Sequence, residues 1–150
     1  MQGRTRHILG DTLGLLIAVL ITGAGMDDGR AAPQLLALIS ATAFPRLETI
    51  FGDNKYHNHD LQAWMATHRP TWRREIKTRP EGSTGFTPLR KRWVVERTNA
   101  WNGRDRRNSK DYERKPASST VMIQISNINL MLNRLSPCPQ PAFRYRQKVA

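Results

Sequence analysis

The chain has one cysteine, Cys138. Neither a disulfide framework nor a cysteine-based zinc site can therefore form within one chain. That usage fits a reducing compartment. Acid is scarce as well: 12 Asp and Glu stand against 24 Lys and Arg, a formal charge of +12. The imbalance points to a polyanionic partner, nucleic acid or an acidic membrane surface. A long hydrophobic run is missing too. The longest apolar stretch, from Leu13 to Ile21, is too short to span a bilayer. No Gly-Lys-Ser/Thr follows Gly82 and Gly85, which excludes a phosphate-loop motif. Of the four histidines, His57 and His59 cannot share a helix face, so no histidine metal site is expected.

What is present suits one folded domain. The chain has 150 residues, and 39% of them are apolar. The charge is unevenly spread. Between Arg69 and Lys115 there are fifteen Lys/Arg and six Asp/Glu, a net +9, which marks that segment as the electrostatic footprint.

The N-terminus admits two readings. Arg4, Arg6 and His7, the apolar run and then Gly23-Ala24-Gly25 have the outline of a secretory signal. Asp11 before the run and Asp27-Asp28 after it favour a hairpin instead. Its strands would be Arg6–Gly10 and Leu15–Thr22, with a turn at Asp11-Thr12-Leu13-Gly14. Asp27–Arg30 reads as a loop. Pro33 then suits the first turn of a helix over Pro33–Ala43.

Arg46–Phe51 alternates like a strand and runs into Gly52-Asp53-Asn54-Lys55-Tyr56. An acid just past a buried strand is either a working group at the strand's carboxyl end or the cap of a turn. Locally, Asp53 fits both. Asn58 can cap a helix through His68. Thr71–Lys77 reads as a strand with Trp72, Arg74 and Ile76 on one side, and Arg79–Gly85 reads as a loop. Arg90–Asn102 suits a helix with Val94, Thr98 and Trp101 on one face and Arg92 four residues before Glu96. Asn102-Gly103 is expected to end it. Arg104, Arg106, Arg107 and Lys110 follow as a second basic cluster. A last helix, capped by Ser118 or Ser119, should run to Leu135. Its apolar residues Val121, Ile125, Ile128, Leu132 and Leu135 recur at four, three, four and three, which predicts a packing face. The order strand–strand–helix–strand–helix–strand–helix–helix predicts an α/β domain with a mixed sheet.

Four stretches together resemble a known family: GRTRHILGDTLGLLIAVLITGAGMDD, FPRLETIFGDNKY, RKRWVVERTNAWNGRDRRNSKDYER and the helix ending MLNRL. They are similar to the C-terminal catalytic half of bacterial insertion-sequence DDE transposases, in the family-five branch with its IS-four-like domain. The resemblance runs from Gly3 to Leu135. It implies a domain over residues 1–135; the tail over residues 136–150, with three prolines and then Arg144, Arg146 and Lys148, reads as basic and disordered. It implies a ribonuclease H-like fold and metal-dependent DNA cleavage and strand transfer in a cytoplasmic protein. Two divalent ions, Mg²⁺ being the expected one, would be held by Asp, Asp and Glu. Asp53 matches the second acid, and Glu96 matches the third, in the helix motif that Arg92 opens. Arg92, Arg97, Arg104, Arg106, Arg107 and Lys110 are the expected DNA-binding residues. Trp93 and Trp101 would stack on a base or pack in the core. The implied partners are DNA and a further transposase chain, with no membrane.

The sequence also departs from the family pattern. The segment carrying the first strand and first acid has no match here, and Asp11 aligns with the hairpin turn. Lys55 stands where a small residue precedes the tyrosine, close enough in sequence to compete for Asp53. Asn99 stands where an aromatic is usual, Leu89 replaces a tyrosine, and the trailing basic residue is displaced to Arg104. These features imply a truncated ribonuclease H-like domain, inactive alone. It would be either a remnant or the second frame of a split transposase, or else a basic module pairing with a full-length chain.

Overall fold

The computed structural model describes residues 3–77 and 92–137, without the Arg92 side chain. The expected loop over Arg79–Gly85, the approach from Pro88 and the tail from Cys138 lie outside the described residues.

The chain begins with the predicted hairpin. Strand β1 (Arg4–Gly10) pairs antiparallel with β2 (Leu16–Gly23). The turn is built by Asp11, whose Oδ1 accepts from the amides of Leu13 and Leu15 at 2.8 Å each. Gly14 takes a positive φ of 78° there, a conformation that favours glycine. The apolar run read as a possible signal is thus strand β2. Among the described residues no helix is long and apolar enough to cross a membrane.

Helix α1 (Asp28–Ala37) departs from expectation. The sequence placed a loop at Asp27–Arg30 and a helix over Pro33–Ala43. Instead Asp27 is the cap, its carboxylate accepting from Gly29 N at 2.8 Å. Pro33 lies inside the helix, and the amide that proline lacks costs one bond without ending it. A strong cap six residues upstream of Pro33 outweighed the proline signal.

Strand β3 (Thr49–Gly52) is followed by a 3-10 turn (Asn54–Tyr56), helix α2 (His59–His68) and strand β4 (Arg73–Ile76). Asn58 caps α2 as expected, accepting from Leu61 N at 2.6 Å. β3 and β4 run parallel, with Thr49 opposite Arg73 and Gly52 opposite Ile76.

Helix α3 (Arg92–Arg104) continues through Asn102-Gly103, where an end was expected. Asn102 is buried and accepts a hydrogen bond from Asn127 Nδ2 at 2.7 Å. That tertiary anchor overrides the poor helix propensity of glycine. Helix α4 (Pro116–Leu135) starts earlier than the serines suggested: Lys115 occupies the cap, and Ser119 is buried within the helix. Its expected packing face is also wrong. Ser119, Ile123 and Asn127 are buried, whereas Val121, Ile125, Ile128, Leu132 and Leu135 are exposed.

Both faces of β2 are covered. Ala18 joins the main core with Ala32, Leu35, Leu36, Ile39, Leu61, Met65 and Trp72, which α1 and α2 largely supply. Val19 and Ile21 pack on Ile123 of α4 from the other side. The element order matches the α/β expectation, but the sheet is not continuous. Among the described residues it consists of two two-stranded pairs, β1–β2 and β3–β4.

Candidate functional site

One cleft of about 290 Å³ lies between the two strand pairs. Ile8 and Leu9 of β1 line one side, and Ile50, Phe51 and Gly52 of β3 line the other. Leu35, Leu36, Leu61 and Met65 supply apolar walls from α1 and α2. Four groups that bear on chemistry reach the same space: Asp28, Asp53, Tyr56 and Glu96. Lys77 and Arg74 from the β4 side add positive charge.

Asp53 stands directly after β3. Its Oδ1 accepts from Lys55 N at 3.0 Å, so the carboxylate caps the 3-10 turn. The two readings left open by the sequence therefore coexist in one residue: Asp53 caps a turn and borders the cleft. Glu96 comes from the opposite side, on an exposed face of α3. Strand end and helix thus bring to one cavity two acids that are 43 residues apart in sequence.

Lys55 does not take Asp53 as its side-chain partner, as its position suggested. Its ammonium lies 3.4 Å from Asp28 Oδ2. Asp28 also lies 3.1 Å from His7 Nδ1, close enough for an ion pair though out of line for a hydrogen bond. His7 is buried, and its Nε2 lies 2.8 Å from Thr22 Oγ1. Sequence reasoning missed Asp28 because Asp27-Asp28 was read as a loop. The signal was an acid at the first position after a helix cap.

Tyr56 responds to this acidic surrounding. Burial, followed by the charges of Asp28, Asp53 and Asp27, pushes its hydroxyl up to about 12. The neutral phenol is favoured because its anion would be poorly hydrated and would face three carboxylates.

The basic residues divide into two sets. Arg97 serves the fold: its Nη2 donates to Leu13 O at 2.7 Å. Its guanidinium lies between Trp93 and Trp101, 4.1 and 4.8 Å from their ring centres. Trp101 also meets Arg134 of α4 at 4.3 Å, so it joins helices, whereas Trp93 is exposed. Arg104, Arg106 and Lys110 are exposed. Arg107 donates to Glu113 at 2.8 Å. The loop that follows Arg104 and carries Arg106, Arg107 and Lys110 is tied down. Arg4 reaches Asp111 and the carbonyl of Arg114, and Arg6 reaches the carbonyl of Asn108 at 2.8 Å. Asn108 and Asp105 both bind Ser126 Oγ at 2.7 Å. The expected ion pair of Arg92 with Glu96 lies outside the described side chains.

A family model described as Transposase DDE domain matches residues 1–132. The chain belongs to that family. No similar curated protein and no similar solved structure was found. Membership implies the cleavage and transfer of DNA in transposition, and hence DNA as a partner. DDE transposase domains generally use divalent metal ions. In this transposase domain Asp53 and Glu96 offer the hard oxygen donors that such ions take. Among the described residues, however, no three His, Cys, Asp or Glu side chains converge closely enough to hold a metal.

Proposed function

We propose that the cleft between β1 and β3 is the acid-bearing half of a DNA strand-transfer centre, with Asp53 and Glu96 as metal ligands. The observation that carries this reading is their arrival in one cavity from separate elements. A divalent ion bound there supplies charge stabilisation for the attacking and leaving oxygens of a phosphodiester. The chain's own residues do the rest. Asp53 and Glu96 hold the cation. Arg104 at the end of α3 and Arg106, Arg107 and Lys110 on the anchored loop position the DNA backbone.

Two carboxylates do not complete a DDE site. The missing ligand has to come from outside the described residues, and the cleft suggests how. Among the described residues all four strands of the β1–β2 and β3–β4 pairs have one unpaired edge, and β1 and β3 border the same apolar space. A two-stranded parallel sheet is marginal by itself. A strand entering between β1 and β3 would join the pairs into the continuous mixed sheet of a ribonuclease H-like fold and could carry the third acid. On this reading the described part binds DNA and does not cut it unaided. It belongs to an insertion-sequence transposase of the family-five type, acts in the cytoplasm, and uses Mg²⁺.

The test uses Mn²⁺ as a paramagnetic stand-in for Mg²⁺. Backbone resonances of the full chain are followed during titration. Broadening centred on Gly52–Asp53 and Val95–Glu96, and lost in Asp53→Asn, is the expected result. Broadening elsewhere, or an unchanged pattern in both Asp53→Asn and Glu96→Gln, overturns the assignment.

A further inference from the structure

Lys55 is joined to Asp53 through its backbone and to Asp28 through its side chain. Its amide donates to Asp53 Oδ1 at 3.0 Å. Its ammonium instead lies 3.4 Å from Oδ2 of Asp28, the first residue of α1. A lysine stem is long and flexible. With its own amide at Asp53, Lys55 has both carboxylates within reach of one charge.

The fold directs that charge to Asp28. Gly29 lets the start of α1 come down onto the turn after Asp53. A Cβ at Gly29 would lie 2.7 Å from Asn58 Nδ2 and 3.0 Å from Lys55 O. The other oxygen of Asp28, Oδ1, lies 3.1 Å from Nδ1 of the buried His7 on β1. Asp28 is thus placed between a fixed imidazole and the lysine. The two cations that line the cleft are engaged elsewhere. Arg74 donates to the carbonyls of Tyr56 and Asn58 and to Gln62. Lys77 pairs with Glu75 and lies over the Phe51 ring. Among the described residues Lys55 is therefore the cation best placed to neutralise Asp53.

We propose that Asp28 is a positioning residue for the metal site: it holds the Lys55 ammonium off Asp53 and leaves that carboxylate to a divalent ion. The inference rests on the reading of Asp53 as a metal ligand and adds a residue to it. Once Asp28 is neutral, the ammonium turns to Asp53 and competes with the divalent ion for the same oxygens. An exposed ion pair of this kind changes affinity by at most about fivefold. Asp28 also attracts any cation in the cleft through its own charge. That attraction does not depend on Lys55, so a pair of substitutions separates the two effects.

Mn²⁺ alone is the probe. The full chain is titrated at low ionic strength, where exposed charges are least screened. Apparent affinity is read from the broadening at Gly52–Asp53 in wild type, Asp28→Asn, Lys55→Gln and the double variant. Glutamine keeps the amide that donates to Asp53. Asp28→Asn is expected to weaken binding by up to about fivefold. Lys55→Gln is expected to bind like wild type, because its ammonium is already held away. Adding Asp28→Asn to Lys55→Gln is expected to cause little further loss. Asp28→Asn binding like wild type overturns the proposal. An equal loss in both backgrounds also overturns it, since Asp28 would then act through its own charge or through the fold. A wild type that shows no broadening at Asp53 overturns the metal-ligand reading itself, and this inference with it.

Discussion

The hydroxyl of Thr98 donates to the carbonyl of Gly14 at 2.8 Å, across 84 residues of sequence. This bond locks α3 onto the turn of the β1–β2 hairpin. Thr98 is almost wholly buried, and Gly14 has a φ of 78°. A Cβ placed on Gly14 would lie 2.9 Å from Thr98 Oγ1, 3.1 Å from Trp101 Cζ3 and 3.3 Å from Arg97 Nη2. The hairpin turn and α3 thus touch each other, and the contact holds the part of α3 that carries Glu96.

Gly14→Ala is therefore expected to destabilise the fold by about 1–3 kcal/mol from backbone conformation alone, with the close contacts adding to it. Thr98→Val should cost about 1–3 kcal/mol, since it leaves the Gly14 carbonyl without its donor. Urea denaturation measures both. The double variant should cost less than the two single losses added together, because the two residues share one contact. Additivity would show that they act separately.

The basic residues should separate by type of effect. Arg106 and Lys110 are exposed on the anchored loop, so Arg106→Ala should weaken DNA binding at every sequence. It should also reduce the slope of log K against log salt by about one. Arg97 is held between two indole rings and bound to Leu13 O. Arg97→Ala should instead lower the melting temperature and leave the salt slope unchanged. Fluorescence anisotropy with a labelled duplex at several salt concentrations decides between these outcomes.

Much of this was legible in the residues, and what was not has physical causes. Asp11 and Gly14 specify a turn by local chemistry, so the hairpin could be read directly. Asn58 likewise announced α2. Asp53 could be singled out locally as a working group or a cap, but pairing it with Glu96 needed the family motif, because their meeting depends on how β3 and α3 pack. The start of α1 was hidden by Pro33, which looked like a first-turn residue and lies mid-helix. The α4 stripe failed most clearly. Periodicity shows that a face is apolar, but not what covers it. Here a smaller face around Ile123 meets β2, and the larger one faces outward.

Tyr56 gives a pH test. Its hydroxyl is raised from 10.0 to about 12 in the folded chain. The folded state therefore keeps its proton in a range where the unfolded chain has lost it. The stability this contributes is fully present below pH 10 and is lost as pH rises through about 12. Tyr56→Phe removes the phenol and should flatten that part of the decline. Lysines titrate in the same range, so the measurement is the difference between wild type and variant in denaturant midpoint. A difference that does not change between pH 9 and the alkaline limit would contradict the burial and charge assigned to Tyr56.

Asp53 has two roles that substitution can separate. Its carboxylate caps the turn through Lys55 N and also borders the cleft. Asparagine caps about as well as aspartate but carries no charge, whereas alanine does neither. Asp53→Ala should cost about 1 kcal/mol of stability, and Asp53→Asn only a few tenths. Both should abolish strand transfer equally when placed in a complete, active transposase. Glu96→Gln, on an exposed helix face, should leave stability within about 0.5 kcal/mol and also abolish transfer. The comparison is made by denaturation of each variant beside a strand-transfer assay on the same preparation. If Asp53→Asn transfers DNA at the wild-type rate while Asp53→Ala does not, the carboxylate is only a cap. The metal-binding role would then have to move elsewhere in the cleft, where Asp28 is the next acid.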